Sequence, residues 1–336
     1  MAIYELCVDL GSNYTTIYKR GSGVVLREPS LILLETIGKS MKVSKIGIDA
    51  QRVNGKISSS EVFVKPIIEG VIKNVDLTKK MVSHFISKVV NYNLVKPVIK
   101  VIVSLPTSLN QKQYEDYKDV FYSIGFAKID FVYNCVCASL VDLPYFSIGK
   151  ANLLVNIGAG KTEIASVVNN KIISACSLNV GGNLIDKSIA EHLQKTQNYT
   201  ISTNIACKIK QEIGSLYETD KSNMEILVHD RNTNSPLTTI VTAKELIKPV
   251  YECYFKILQT IQAFLNQCSP EVAQDIKNEG IVVYGGGSLI TGLEKFFKKV
   301  LNLSVFVVDN PEILGVIGSE KLFSNLSLLQ KVIEEN

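Results

Sequence analysis

Two short segments of the chain carry small and polar residues in the same order. VDLGSNYTTI (8–17) and VNIGAGKTEI (155–164) align without a gap, and each follows an apolar run that predicts a buried strand. A glycine turn at a strand end exposes backbone N–H groups that can form a nest for phosphate oxygens. The aligned pair favours phosphate binding over two ordinary hairpin turns. The expected contacts are Gly11, Ser12, Asn13, Tyr14, Gly158, Ala159, Gly160, Lys161 and Thr162.

A third glycine-rich segment lies near the C-terminus. It follows the apolar run IVVY (281–284) and precedes a predicted helix, LITGLEKFF (289–297). Consecutive glycines let a backbone lie flat against a ligand, and a helix N-terminus presents a positive dipole end. The segment has neither the Gly-x-Gly-x-x-Gly spacing of a dinucleotide turn nor the Gly-Lys-Ser/Thr ending of a P-loop. We therefore expect it to contact the nucleoside side of a nucleotide, through Gly285, Gly286, Gly287 and Ser288.

The elements that must position these turns follow from apolar periodicity. The first half predicts three opening strands (YELCVDLG, TTIYKRG and GVVLREPSLILLE), then a polar irregular stretch at about 42–60. An amphipathic helix capped by Asp76 or Thr78 and a buried strand, VIKVIVSLP, come next. The second half repeats this order, with a hairpin turning at 169–170. The pattern predicts a two-domain α/β protein produced by internal duplication.

Composition limits the function classes. The 336 residues carry a net charge of +4 with the basic residues dispersed, so no nucleic-acid-binding surface is predicted. The absence of a leader and of an eighteen-residue apolar run predicts a soluble, cytoplasmic protein. Seven dispersed cysteines and three histidines predict reduced, buried thiols rather than a disulfide framework or a zinc site.

The motifs together resemble those of the actin-like ATPases, and among them the bacterial actin MreB family. The resemblance is carried in order by DLGSNYTTIYKRGSGVVLREPS, KPIIEGVIKNVDLTKKM, VIVSLPTSL, VNIGAGKTEIASVVNNKII, VGGNLIDKSIAEHL, IKQEIGS, GIVVYGGGSLITGLEKF and DNPEILGVIGSEKL. It implies an actin-like duplicated fold with ribonuclease H-like halves, four subdomains and a central cleft for ATP and Mg²⁺. It also implies self-association into protofilaments that govern cell shape or motility.

The resemblance implies domain limits as well. Domain I is expected at 1–145, with a small subdomain within about 33–65. Domain II is expected at 146–314, with a small subdomain within about 182–243. The C-terminal segment 315–336 is expected to pack back on domain I.

Departures from the family pattern fall on the positions that hydrolyse ATP. The family's Glu-Glu-Pro segment aligns with Asn134-Cys135-Val136, and Lys161 replaces a threonine that helps to place the attacking water. Asn156 replaces one of two carboxylates around the metal, which leaves Asp9 to hold Mg²⁺ through water and predicts weak retention. The Lys161 ammonium is expected either to pair with phosphate or metal-site charge or to point into solvent. These departures indicate a divergent paralogue that hydrolyses ATP very slowly or not at all.

On the adenosine side the family's Glu-x-x-Lys contact reads Cys207-Lys-Ile-Lys210, so Lys210 matches and Cys207 does not. Gly182 belongs to the same predicted adenosine contacts.

Three interpretations of function remain open. The first is an ATP-binding filament subunit. The second is a non-polymerising pseudo-ATPase adaptor, or a subunit that needs a hydrolysing MreB paralogue. The third, a sugar or acetate kinase of the same superfold, is disfavoured by the missing carboxylates. Segment 91–97 (NYNLVKP) lies at a loop position that relatives use to contact membranes, so a location at the inner face of the cell membrane is a further expectation.

Overall fold

The computed structural model describes residues 2–55, 58–91, 97–144, 146–197, 199–233 and 235–336. These residues fall into two compact units: unit 1 contains Met1–Leu143, Val167–Ile173 and Ile313–Asn336, and unit 2 contains Pro144–Ser166 and Ser174–Glu312. The domain and subdomain limits drawn from the sequence stay predictions. The predicted membrane loop at 91–97 lies almost wholly outside the described residues. In the described ranges no helix is both long and apolar enough to cross a membrane.

Unit 1 is built on a five-stranded sheet in the order β10-β9-β1-β2-β3. Strand β1 runs antiparallel to β2 and parallel to β9, and β10 runs parallel to β9. Two small sheets, β5-β4-β6 and β7-β8, accompany it. The strands are β1 (Ile3–Leu10), β2 (Tyr14–Lys19), β3 (Gly23–Pro29), β4 (Ile32–Ile37), β5 (Ser40–Ile46), β6 (Glu61–Val64), β7 (Ile67–Ile68), β8 (Val71–Ile72), β9 (Val98–Leu105) and β10 (Lys128–Tyr133).

Helices cover this sheet and supply its core. Met81 and Phe85 of α2 and Tyr117 of α3 are fully buried against the apolar residues of the strands, because apolar residues recur at helical spacing along both helices. The helices of unit 1 are α1 (Ile48–Arg52), α2 (Val75–Val89), α3 (Gln111–Tyr122), α4 (Asn134–Ser139), α10 (Leu314–Ile317), α11 (Ser319–Ser324) and α12 (Leu326–Glu335).

Unit 2 repeats the plan with a five-stranded sheet in the order β13-β12-β11-β17-β18. As in unit 1, three consecutive strands are followed across the sheet by two later, parallel strands. This shared strand order is what an internal duplication predicts. The elements are β11 (Asn152–Ile157), β12 (Thr162–Val168), β13 (Lys171–Leu178), α5 (Gly182–Thr196), β14 (Tyr199–Thr200), α6 (Thr203–Ile213), β15 (Asn223–Asp230), β16 (Pro236–Thr242), α7 (Ala243–Gln267), α8 (Pro270–Glu279), β17 (Ile281–Tyr284), α9 (Leu293–Leu301) and β18 (Val305–Val307).

The turn between β12 and β13 confirms the predicted hairpin. Asn169 and Asn170 both have positive φ, at 49° and 69°, which is the requirement of a two-residue turn that matches the twist of its strands. Asparagine tolerates this conformation better than most residues do.

Three local predictions were wrong. The stretch at 42–60 contains most of β5 and all of α1 rather than irregular chain, and the run GVVLREPSLILLE divides into β3 and β4, which belong to different sheets. The cap of α2 is Asn74, whose side chain accepts from the Leu77 N–H at 2.9 Å. Asparagine is among the preferred N-cap residues.

Candidate functional site

The two aligned glycine turns have the same backbone geometry. The Gly11 N–H donates to the Tyr14 carbonyl at 3.0 Å, and the Gly158 N–H donates to the Lys161 carbonyl at 2.9 Å. Each turn is therefore closed by its own glycine amide. The N–H groups of Gly11 and Gly158 are used within the turns, and the role of the two glycines as phosphate contacts stays a prediction. The amides that follow each glycine carry the phosphate prediction.

Side chains brace the first turn from outside. The Ser12 hydroxyl oxygen accepts from the Gly70 N–H at 3.0 Å, and the Asn13 side-chain oxygen accepts from Lys65 Nζ at 2.9 Å. Ser12 is 6% exposed. The predicted phosphate residues Ser12 and Asn13 are thus held in place by the chain just before β7 and by the β7–β8 turn.

Ser30 is the last residue of the quoted motif DLGSNYTTIYKRGSGVVLREPS and was not predicted as a site residue. Its hydroxyl donates to the Gly11 carbonyl at 2.7 Å and lies 2.9 Å from the Thr15 hydroxyl. Thr15, the aligned counterpart of Thr162, is fully buried. No local pattern distinguishes Ser30, since it reaches the turn through the pairing of β2 with β3.

The predicted metal residues are one carboxylate and one amide. Asp9 lies in β1 opposite Thr16, and Asn156 lies in β11 opposite Tyr284. The Asn156 side-chain oxygen packs against the backbone of Gly285. Across the described ranges no group of three or more His, Cys, Asp or Glu side chains is placed to hold a metal ion directly. A carboxylate such as that of Asp9 can hold the water shell of a hydrated Mg²⁺, and the metal role of both residues stays a prediction.

The side chain of Lys161 is buried, which excludes the solvent-pointing interpretation. It is 8% exposed, as is Glu163, and the Lys161 ammonium lies 3.5 Å from a Glu163 carboxylate oxygen. Each charge offsets part of the cost of burying the other. The predicted phosphate residue Thr162 is fully buried and donates its hydroxyl to the Val180 carbonyl at 2.7 Å. Only its backbone remains a candidate for a phosphate contact.

The first turn of α5 packs directly on the second glycine turn. The Gly182 N–H donates to the Gly158 carbonyl at 3.0 Å, and the Asn183 N–H donates to the Ala159 carbonyl at 2.8 Å. A Cβ on Gly181 would lie only 2.7 Å from the Gly158 carbonyl oxygen. Gly181 belongs to the quoted motif VGGNLIDKSIAEHL but was not predicted as a site residue, and glycine is required there by this close approach.

Lys210, a predicted adenosine contact, is held by an ion pair and a hydrogen bond within unit 2. Its ammonium lies 2.6 Å from an Asp186 carboxylate oxygen and donates to the Gly182 carbonyl at 3.0 Å. Both side chains are at most 14% exposed. Asp186 was not predicted, although it lies four residues after Gly182 in the same motif. Cys207 lies on α6 three residues before Lys210 and is half-buried.

The glycine turn at 285–288 is held by its own unit. The Tyr254 hydroxyl donates to the Gly287 carbonyl at 2.5 Å, and the Ser288 hydroxyl donates to the Gly285 carbonyl at 2.8 Å. Burial raises the pKa of Tyr254 well above its usual value, which keeps the phenol protonated as a donor. Gly286 alone of the three glycines is exposed.

Close packing explains the other two glycines. A Cβ on Gly285 or Gly287 would overlap the end of β11 at Ile157, so packing alone already requires glycine at these two positions. The expected helix does not start at this turn either. A short 3₁₀ turn at 286–289 intervenes, and α9 begins only after Gly292, at φ 87°. The predicted helix dipole at this turn is therefore absent.

The side chain of Asn134, the residue that the family resemblance places at a hydrolytic position, is buried within unit 1. It is 6% exposed, and its amide donates to the Ser104 hydroxyl at 2.9 Å. The Ser104 hydroxyl donates in turn to the Gly315 carbonyl at 3.3 Å. The Asn134 side chain occupies the space that a Cβ on Gly315 would need. Its contacts are those of a residue that joins α4, β9 and α10.

Two buried thiols, those of Cys7 and Cys137, lie in environments that disfavour the thiolate. Burial raises the pKa of both Cys7 and Cys137, and the neighbouring thiol and Asp9 raise it further. All seven cysteines are free, four of them buried. The prediction of reduced, largely buried thiols agrees with this arrangement, because a raised pKa disfavours the reactive thiolate.

Comparison with known proteins gives consistent results along the whole chain. The family model described as MreB/Mbl protein matches residues 3–331. The cell shape-determining protein MreB of Pasteurella multocida is 29% identical over 312 residues, which cover 91% of this chain and 89% of that protein. The structure of MreB5 of Spiroplasma citri bound to AMPPNP superposes with a TM-score of 0.89 at 25% identity, covering 99% of both chains.

A third comparison concerns the fold alone. The MamK double helical filament superposes with a TM-score of 0.79 at 19% identity, covering 96% of this chain and 99% of that one. The resemblance that the motifs suggested and the actin-like fold class are both confirmed. This chain belongs to the MreB/Mbl family of actin-like proteins.

Proposed function

We propose that this protein binds ATP and assembles with copies of itself into filaments that govern cell shape or motility, while hydrolysing ATP very slowly or not at all. Three similarities support the proposal. The MreB relatives are named for determining cell shape, the similar Spiroplasma citri MreB5 was solved with AMPPNP, and MamK, which shares the fold, was solved as a filament.

The proposed phosphate contacts are backbone amides. In unit 1 they belong to Ser12, Asn13 and Tyr14, and in unit 2 to Ala159, Gly160 and Lys161. The bracing of Ser12 by Gly70 and of Asn13 by Lys65 supports this assignment, because preorganised donors pay little ordering cost when an anion binds.

The proposed adenosine contacts are the exposed backbone at Gly286 and the α5–α6 junction. Lys210, Gly182 and Cys207 lie at that junction, with the Lys210 ammonium already fixed by Asp186. Mg²⁺, when bound, supplies positive charge to the phosphates. Asp9 would hold its water shell, and Asn156 would contribute only an amide oxygen.

The geometry of Asn134 carries the proposal of slow hydrolysis. A buried amide that donates to Ser104 cannot take a proton from water as a carboxylate does. Loss of a general base lowers a rate by roughly 10²–10⁴-fold. Lys161, at the position of the water-placing threonine, is paired with Glu163 and offers no hydroxyl.

The test is to measure nucleotide binding and phosphate release on one preparation. Displacement of a fluorescent nucleotide by ATP is expected, with phosphate release about 10²-fold or more below that of an MreB relative that keeps both carboxylates. Turnover equal to that relative would overturn the slow-hydrolysis proposal. Failure of ATP to displace the probe would overturn nucleotide binding and favour the adaptor.

Dependence on a paralogue is tested by mixing. If the protein binds ATP and assembles only when a hydrolysing MreB paralogue is added, the partner-dependent subunit is the correct account.

Attachment to the inner face of the membrane through 91–97 is a separate proposal, and flotation with liposomes before and after replacement of Leu94 and Val95 by serine tests it.

A further inference from the structure

Unit 1 contains a cavity that none of the predicted nucleotide residues lines. Its volume is about 580 Å³, which is within the range of small-molecule sites. It lies where β5, α1 and α2 meet. Val43 and Ile46 contribute apolar wall, and Lys45, Asp49, Arg52 and His84 contribute polar groups. An apolar wall with a few convergent polar groups is the usual composition of a ligand site.

His84 carries an unsatisfied polar atom. Its Nε2 is buried and has no hydrogen-bond partner among the described residues. The ring is wedged beside Phe85, with the ring centroids 5.9 Å apart. Buried polar atoms in proteins are nearly always hydrogen-bonded, so each exception calls for a missing partner. A small polar group that enters the cavity would supply that partner.

The charges around the cavity favour an anion. Lys45 Nζ has neither an ion pair nor a hydrogen bond among the residues that the structure describes. Arg52 is 3.2 Å from Asp49 but remains 71% exposed, so most of its donors are still available to a ligand. The two cationic groups outnumber the single carboxylate that lines the cavity, which leaves a net positive site.

We propose that this cavity binds a small polyanion with at least two acidic groups, held by Lys45, Arg52 and His84. Phosphate-bearing and polycarboxylate ligands share this chemistry, and the two probes below distinguish them. The site is independent of the nucleotide turns, so its failure would leave the proposed function unaffected.

The protonation of His84 gives binding a defined pH dependence. Burial and then Lys88 lower its pKa, while Glu28 and Asp49 oppose them; Lys45 and Arg52 also face the cavity. Glu28 is itself paired with Lys88 at 2.7 Å. A bound anion would favour the charged imidazole and raise its pKa. Binding should therefore take up protons and strengthen as the pH falls.

The experiment uses the three histidines of the chain as reporters. Histidine-labelled protein gives signals for His84, His192 and His229, and His84→Gln assigns the first. Pyrophosphate and citrate are the two probes, titrated separately and followed by NMR. The proposal expects saturable movement of the His84 signal with at least one probe, while the other two signals stay in place. A response to pyrophosphate alone identifies a phosphate ligand, and a response to citrate alone identifies a polycarboxylate.

Calorimetry on variants completes the test. Lys45→Ala and Arg52→Ala should each weaken binding of the active probe by about tenfold or more. Lys42→Ala is the matched control, because Lys42 lies on the same strand opposite Glu35 and does not line the cavity; its affinity should equal that of the wild type. An unmoved His84 signal with both probes, or equal affinities for the three variants, overturns the proposal.

Discussion

The side-chain amide of Asn134 donates to the Ser104 hydroxyl at 2.9 Å. This one bond assigns a structural role to the position that aligns with the family's hydrolytic glutamate. Ser104 lies in β9 beside Asp9 of β1, and the contact continues to Gly315 of α10. The contacts of Asn134 therefore form a packing arrangement that suits a side chain of this length.

Restoring the glutamate alone should not restore hydrolysis. Asn134→Glu adds a methylene and a charge at a site 6% exposed, and we expect it to cost about 2 kcal/mol of unfolding free energy. Urea denaturation and phosphate release measure the two effects. Asn134→Gln is the control, since it adds the length without the charge. A variant as stable as the wild type that releases phosphate would contradict the structural role of Asn134.

Substitutions at the neighbouring residues Gly286 and Gly287 should have different effects, the first on ATP binding and the second on stability. Gly286→Ala meets only Glu312, at 3.6 Å, and should leave stability within about 1 kcal/mol while weakening ATP binding. Gly287→Ala places its Cβ against Ile157, 2.9 Å from the Ile157 carbonyl oxygen, and should destabilise the protein by about 1–3 kcal/mol. Thermal unfolding and nucleotide titration check the pair. Equal stability of the two variants would show that Gly287 is not required by packing.

Removing one charge of the buried Lys161–Glu163 pair should destabilise the protein more than removing both charges. Lys161→Met leaves the Glu163 carboxylate in a site 8% exposed, and we expect a loss of about 3 kcal/mol. The double variant Lys161→Met with Glu163→Gln should recover much of it. Denaturation without nucleotide gives the double-mutant cycle. Additive losses would mean that the two side chains do not interact.

Deprotonation of Tyr18 should lower the stability of the folded protein at alkaline pH. Burial, and then the hydrogen bond that its hydroxyl donates to Glu320 at 2.7 Å, raise the pKa of Tyr18 from 10.0 to about 12. The folded state thus favours the neutral phenol. This contribution is complete below pH 10 and is lost as the pH rises through 12.

Comparison of wild type with Tyr18→Phe isolates this effect from the other tyrosines. The variant should be less stable by about 1 kcal/mol at neutral pH, and the difference should shrink as the pH rises from 10 towards 12. Glu320→Gln keeps an acceptor and should cost less than Tyr18→Phe does. Urea midpoints at pH 7 and across pH 9–12 measure this. A constant difference at every pH would exclude the proposed titration.

Repeated motifs made the fold predictable. The two strand–glycine–strand segments and the strands after them have strong apolar runs, and these became the equivalent five-stranded sheets. The site predictions that rest on backbone turns needed only glycine spacing. What the sequence could not show is which donors the fold itself uses, such as the Gly11 and Gly158 amides that close their own turns.

Long-range partners account for the remaining differences. Ser30 and Tyr254 reach the predicted site from other elements, and no local pattern marks them. Asp186 shares a motif with Gly182, but its partner Lys210 lies on another helix. The helix α9 starts late because Gly292 has a positive φ, which is not helical, and the helix begins only after this residue. The sequence left open whether Lys161 pairs with charge at the site or points into solvent, and only the packing around Lys161 and Glu163 shows it to be buried.

Sedimentation of the purified protein tests the central claim, that assembly needs nucleotide binding but not hydrolysis. Three samples are compared: without nucleotide, with Mg-ATP and with Mg-AMPPNP. The account predicts equal pelleting with the two nucleotides, little without nucleotide and negligible phosphate release in the ATP sample. Pelleting with ATP alone, accompanied by phosphate release, would contradict it.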